Sequence, residues 1–86
     1  MTIAAEIEKR LKQNFAITDL KILDESHKHV GHAGHRPEGE SHFRIKMISA
    51  DFKDMSRLQR QRQIYNLLAD LMQTRIHALS LDLKEN

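Results

Sequence analysis

The chain has 86 residues, a net charge of +2 and no cysteine, and its length is typical of a single domain, which we expect to span residues 1–86. The lack of cysteine excludes disulfides, thiolate zinc sites and a cysteine nucleophile. The 14 lysines and arginines exceed the 12 acidic residues only slightly and are scattered, so charge alone does not indicate a nucleic-acid-binding protein. The chain enters charged helical sequence at once, and no apolar run approaches the roughly 20 residues of a membrane span. A cytoplasmic protein without a membrane partner is expected.

The first predicted element is an amphipathic helix capped by Thr2. Its apolar residues recur at every fourth position and form one stripe: Ile3, Ile7, Leu11 and Phe15. Asn14 and Thr18-Asp19 interrupt this period. The alternation over residues 20–23 then predicts a short first strand.

A long loop is predicted over residues 24–40, where no apolar period is present. It holds all three glycines, the only proline and four of the six histidines, which are His27, His29, His32 and His35. Loops longer than roughly 12–15 residues are usually functional or disordered. Imidazole is the commonest metal ligand near neutral pH, but the spacing matches no standard zinc signature. Two interpretations of this segment therefore remain, a metal-binding loop and a solvated polar loop without a metal.

The second strand is predicted over residues 41–48 by clear alternation. Phe43, Ile45 and Met47 face one way, and the intervening residues, beginning with His42, face the other. His42 is therefore expected to be an exposed strand residue.

Ser56 is the predicted N-cap of the last helix. A helix starting at Arg57 would place Arg57 and Arg60 on the apolar face, so we expect a break before about Leu58 and a main helix over residues 58–73. The third strand is predicted over 76–83. Two strands joined by a loop favour an antiparallel pair. A helical crossover makes strands two and three parallel if they are neighbours, and the crossover is expected to be right-handed. The fold class is α+β, in the order α-β-β-α-β, with a three-stranded mixed sheet and the helices on one face.

The remaining chemistry is sparse. His77 lies at the start of the third strand beside Leu79, and its position alone favours a hydrogen-bonded core histidine over a metal ligand. The basic run Arg57, Arg60 and Arg62 either contacts phosphate or begins a solvated helix whose arginine stems cover the edge of the core. No nucleophile with its base and no carboxylate pair in distinct environments is evident, so the protein is not expected to be an enzyme.

The whole pattern resembles the BolA family from about Ile3 to Leu83. The order and spacing of five segments carry the resemblance: Asp24-Glu25-Ser26, Gly39-Glu40-Ser41-His42-Phe43-Arg44-Ile45, Phe52, Leu58-Gln59-Arg60-Gln61-Arg62-Gln63-Ile64-Tyr65 and Ile76-His77-Ala78-Leu79-Ser80. The family commonly has Arg-His-Arg where this chain has Arg60-Gln61-Arg62, so any role of that histidine is lost here.

The resemblance implies a class II KH-like fold and a heterodimer with a monothiol glutaredoxin that shares a glutathione-ligated 2Fe–2S cluster. It further implies two histidine ligands, His77 and the residue three positions after Ser26, which is His29. Because the loop carries extra histidines, His32 and His35 are alternatives. The resemblance also implies a second hypothesis, a DNA-binding transcriptional regulator.

The composition agrees with a shared cluster. A 2Fe–2S cluster needs four protein or cofactor ligands, usually thiolates, with two histidines on one iron in Rieske-type centres. A chain without cysteine supplies at most the histidine half, so the thiolates must come from elsewhere, and the resemblance implies that a glutaredoxin and glutathione provide them. The isolated protein is expected to be a monomer without a cofactor, and DNA a weak partner at most.

Overall fold

A computed structural model describes residues 2–25 and 41–85 of the chain. In chain order the elements are α1 (Ile3–Asn14), β1 (Ile17–Asp24), β2 (His42–Ser49), a 3-10 turn (Ala50–Phe52), α2 (Arg57–Leu67), α3 (Ala69–Thr74) and β3 (Ala78–Lys84). No helix in these two stretches is long and apolar enough to cross a membrane.

The strands form one mixed sheet in the order β1-β2-β3. β1 runs antiparallel to β2, and β2 runs parallel to β3, so the predicted α+β class and strand directions are confirmed. Asp24 pairs with Phe43, and Phe43 pairs with Leu79. The end of β1 and the starts of β2 and β3 therefore lie at the same edge of the sheet.

The hydrophobic core lies between the helices and one face of the sheet. Its buried residues come from α1, β2, the 3-10 turn, α2 and the segment around α3: Ile3, Ile7, Leu11, Phe43, Ile45, Met47, Phe52, Ile64, Leu68, Leu71 and Ile76. As predicted, Phe43, Ile45 and Met47 share the buried face of β2. The opposite face of the sheet carries the alternate residues and is not covered by the described helices.

The first helix follows its predicted pattern. The Thr2 side chain accepts a hydrogen bond from the Ala5 amide at 3.0 Å, which satisfies one of the free amides at the helix start. Phe15 ends the helix in an extended conformation, and its ring packs against Phe52 with centroids 5.4 Å apart.

The first strand is longer than predicted, because Thr18 and Asp19 do not interrupt it. β1 begins at Ile17, and the pairing register with β2 shifts between Ile17 and Asp19. Two hydrogen bonds hold the preceding residue: the Ser49 hydroxyl donates to the Ala16 carbonyl at 2.7 Å, and the Ala16 amide donates to Asp51 at 2.7 Å. The polar pair is thus accommodated by a local irregularity of the ladder rather than by a loop.

The predicted break before Leu58 is wrong, since α2 begins at Arg57. Ser56 and Gln59 form a reciprocal capping box at its start. Arg60 is accommodated on the inner side because its Nε donates to the Met55 carbonyl at 3.1 Å and its guanidinium lies 5.7 Å from the Phe52 ring centroid.

The break lies instead at Leu68, which separates α2 from α3. Its φ and ψ of −106° and 15° leave the helical region, although its side chain is fully buried. Arg10 from α1 donates to the Leu67 carbonyl at 3.2 Å and binds both carboxylate oxygens of Asp70, at 2.6 and 3.0 Å. Arg10 thus forms hydrogen bonds to the Leu67 carbonyl before the break and to the Asp70 carboxylate after it.

Side chains of α2 also reach the outer edge of β3. The Tyr65 hydroxyl donates to the Leu79 carbonyl at 2.9 Å, and Arg60 Nη1 donates to the Leu83 carbonyl at 3.2 Å. These bonds fasten the crossover helix to the last strand.

Candidate functional site

The Ser41 carbonyl joins β2 to the start of β3. It accepts hydrogen bonds from two successive amides, that of His77 at 2.6 Å and that of Ala78 at 3.3 Å. On the other side of β2, the Glu25 amide donates to the His42 carbonyl at 2.7 Å. Three chain segments are thereby fixed side by side at one edge of the sheet.

His77 is exposed, so its interpretation as a core histidine is wrong. The strand begins one residue later, at Ala78, and Ile76 takes the buried position with 3% exposure. In the bend before the strand, alternation does not determine which way the side chain points. The backbone of His77 is nevertheless held by the hydrogen bond from its amide to the Ser41 carbonyl. The imidazole is therefore exposed while its backbone is fixed in position.

His42 is only 7% exposed, so the prediction of an exposed strand histidine is wrong. Its ring packs edge to face against that of His77, with centroids 5.9 Å apart and planes at 83°. The Ser41 hydroxyl lies 2.8 Å from its Nδ1. Two-residue alternation predicts the face on which a side chain lies, but not that neighbours at the end of a strand cover it.

The loop histidines His27, His29, His32 and His35 lie outside the described residues, and their roles stay predictions. The chain enters the intervening segment after Glu25 and leaves it at Ser41. Both of these residues belong to the edge that carries His42 and His77. The two residues that flank the histidine-rich segment therefore lie at the edge of the sheet that carries His77.

The donors available at this edge are imidazoles. Within residues 2–25 and 41–85, no group of three or more histidine, aspartate or glutamate side chains is close enough to hold one ion. The Glu25 carboxylate is paired with Arg44 Nε at 3.2 Å. A 2Fe–2S cluster would find two nitrogen ligands at most among the described residues and no thiolate in the sequence, which fits a histidine half-site.

The basic run is not assembled into one phosphate site. Arg57 and Arg60 line a groove of about 360 Å³ between α2 and β3, whereas Arg62 is not among its lining residues. Arg60 donates hydrogen bonds to backbone carbonyls, and its guanidinium lies over the Phe52 ring. This agrees with the second interpretation of the basic run, in which arginine stems cover the edge of the core. Arg57 and Arg62 are exposed.

Comparison with known proteins adds to this geometry. The family model described as "BolA-like protein" matches residues 11–86. The protein named DNA-binding transcriptional regulator BolA of Haemophilus influenzae is 40% identical over 83 residues, which cover 96% of this chain and 77% of the relative.

Two solved structures have the same fold. BolA1 from Arabidopsis thaliana gives a TM-score of 0.87 at 33% identity, covering 99% of this chain and 93% of that one. The BolA domain of SufE1 from the same plant gives 0.83 at 34% identity, covering 95% and 90%. With a family match over most of its length and a shared fold throughout, the chain belongs to the BolA-like protein family.

Proposed function

We propose that the protein is a non-enzymatic accessory factor in iron–sulfur cluster trafficking or iron regulation. It pairs with a monothiol glutaredoxin and shares a glutathione-ligated 2Fe–2S cluster through His77 and a histidine of segment 26–40. The loop ligand is His29, with His32 and His35 as alternatives. The observation that carries the proposal is an exposed His77 with an anchored backbone, at the edge where that segment begins and ends.

The division of ligands follows from the donor chemistry. Clusters of this kind are held mainly by thiolates, and histidine replaces cysteine on one iron in Rieske-type centres. This chain has six histidines and no cysteine. It contributes imidazoles, and the partner contributes its own thiolate and that of glutathione. Neither chain then holds the cluster alone, which suits a cluster that is passed on.

DNA binding through the KH-like fold is the second candidate function, because the Haemophilus influenzae relative is named a DNA-binding transcriptional regulator. Its candidate contacts are Arg57, Arg60 and Arg62. Arg60 is engaged inside the protein, and the net charge is only +2. A large electrostatic contribution to binding is therefore not available.

The test is to mix the protein with a monothiol glutaredoxin, glutathione, iron and sulfide, and to follow visible circular dichroism. A spectrum distinct from that of the glutaredoxin alone is expected at one chain per partner. His77→Ala should abolish it, and His29→Ala should weaken it with partial rescue by His32. Arg62→Ala is the matched control, since it removes an exposed basic residue and should leave the spectrum unchanged.

Two results would contradict the proposal. A wild-type spectrum from His77→Ala would remove His77 from the site. No new spectrum from the unaltered protein, together with DNA binding that Arg62→Ala weakens, would favour the second candidate.

A further inference from the structure

We propose that His42 and His77 by themselves form a binding site for a divalent transition-metal ion at the edge of the sheet. The site requires no residue of segment 26–40, no glutaredoxin and no cluster. It rests on the contact between the two rings and is independent of the proposed function.

The distance between the rings suits two ligands of one ion. With metal–nitrogen bonds of about 2.0–2.1 Å, two imidazoles on a single ion have ring centres roughly 5–6 Å apart. The centroids of His42 and His77 are 5.9 Å apart. The buried His42 ring is held in place, and the exposed His77 ring can turn about its side-chain bonds to complete the coordination. Little backbone movement is needed, because the His77 amide donates to the carbonyl of Ser41, which directly precedes His42, and the His42 carbonyl accepts from the Glu25 amide.

The contact with the Ser41 hydroxyl indicates which nitrogen of His42 would bind the metal. This buried hydroxyl lies 2.8 Å from Nδ1, so the metal is assigned to Nε2. With the metal there, the proton is on Nδ1, which donates a hydrogen bond to the hydroxyl oxygen. Metal-binding histidines usually make such a second hydrogen bond, which fixes the tautomer and the ring orientation.

The donor set selects the class of ion. Neutral imidazoles suit zinc, copper, nickel and iron, whereas magnesium and calcium prefer oxygen ligands. Water completes the coordination. Cu²⁺ stands at the top of the affinity order for nitrogen donors, and it is the probe of choice for a site with two protein ligands.

The experiment uses the full chain with His27, His29, His32 and His35 replaced by asparagine. Of the six histidines in the sequence, only His42 and His77 then remain. Calorimetric titration with Cu²⁺ alone is expected to show one ion per chain. Electron paramagnetic resonance should show hyperfine coupling to the nitrogens of two imidazoles.

Single substitutions added to this variant test the contribution of each residue to Cu²⁺ binding. His77→Asn and His42→Asn should each weaken binding at least tenfold and reduce the coupled imidazoles to one. Ser41→Ala should weaken it about tenfold through loss of the supporting hydrogen bond. Lys46→Asn, an exposed change on the same strand, is the control and should have no effect.

Unchanged Cu²⁺ affinity in the His77→Asn background would overturn the proposal, and this exposed position is expected to tolerate the change without loss of fold. Binding of several ions with no two-imidazole signal would also overturn it. Far-ultraviolet circular dichroism of every variant checks the fold. The readouts involve neither glutaredoxin nor cluster, so this proposal and the proposed function can fail separately.

Discussion

Asp54 adopts a left-handed backbone conformation, with φ of 65°, in the turn that precedes α2. The Cβ atom makes this region costly, by roughly 1–2 kcal/mol for an ordinary L-residue, and glycine avoids the cost. We expect Asp54→Gly to be more stable than Asp54→Ala by about 1 kcal/mol. Urea denaturation of the two variants measures the difference.

Lys9 supplies the matched control for that comparison. It is an exposed residue inside α1, where glycine is less favourable than alanine by about 1 kcal/mol. Lys9→Gly should therefore be less stable than Lys9→Ala, the opposite order to position 54. The same order at both positions would show that the turn does not hold residue 54 in the left-handed region.

At the level of single residues, the sequence predicted those features that depend only on residues nearby in the chain. The Thr2 and Ser56 caps were predictable because a cap needs only its own first turn. The burial of His42 was not, since it arises from Ser41 and from His77, which lies just before β3 and far along the chain. That segment 26–40 supplies a ligand stays a prediction, and spacing within the segment does not distinguish its histidines.

Among the helices, α1 and α3 are joined by Arg10 and Asp70. The Arg10 guanidinium binds both oxygens of the carboxylate and holds the pKa of Asp70 below its ordinary value of 3.8. A lowered pKa in the folded state stabilises the fold above the ordinary value, and this stabilisation is lost as the pH falls through the folded-state pKa.

We therefore expect Asp70→Asn to be less stable than the unaltered protein at pH 7, with the difference shrinking below about pH 3.8. Chemical denaturation at several pH values measures it. In a double-mutant cycle, Arg10→Met and Asp70→Asn should show a coupling energy at pH 7 that disappears in acid. A coupling energy independent of pH would mean that the charge of Asp70 contributes nothing to the link.

The periodic parts of the helices and strands were predictable, and their irregularities were not. Alternation identified β2 to within one residue, because one face of that strand is buried. The break at Leu68 went unseen because Arg10, which binds the Leu67 carbonyl and Asp70, lies on another helix. The extension of β1 through Thr18 and Asp19 likewise depends on Ser49 and Asp51, which lie far along the chain.

For the molecule as a whole, the small net charge of +2 disfavours DNA binding, the second candidate function. We expect binding to short duplex DNA to be weak, because few phosphates can be neutralised by a chain with a net charge of +2. The binding that remains is electrostatic, so it should weaken further as salt is raised. Fluorescence anisotropy at several salt concentrations measures it. Arg62→Ala should weaken this binding equally for all sequences, as expected for a phosphate contact.

Sequence-specific, submicromolar binding that survives physiological salt would contradict this expectation. It would show that base contacts outweigh the electrostatic contribution. The DNA-binding function would then take precedence over cluster sharing.

Apart from the division of the last helix at Leu68, the order of the described elements was predictable because the apolar period changes from helical to alternating and back. The mixed strand directions followed from the connection types, which are a predicted loop between β1 and β2 and helices between β2 and β3. The juxtaposition of His42 and His77 needed the actual register of the parallel pair, which connection rules do not supply.

The hydrogen bonds from Tyr65 and Arg60 to the carbonyls of Leu79 and Leu83 have a consequence for self-association. The outer edge of a sheet is a template on which another extended chain can add, and proteins that leave it open are prone to form fibres. Here two of the acceptors that an incoming strand would need are already occupied by side chains. Growth of the sheet by strand addition at β3 is thereby obstructed, and polymerisation through this edge is disfavoured.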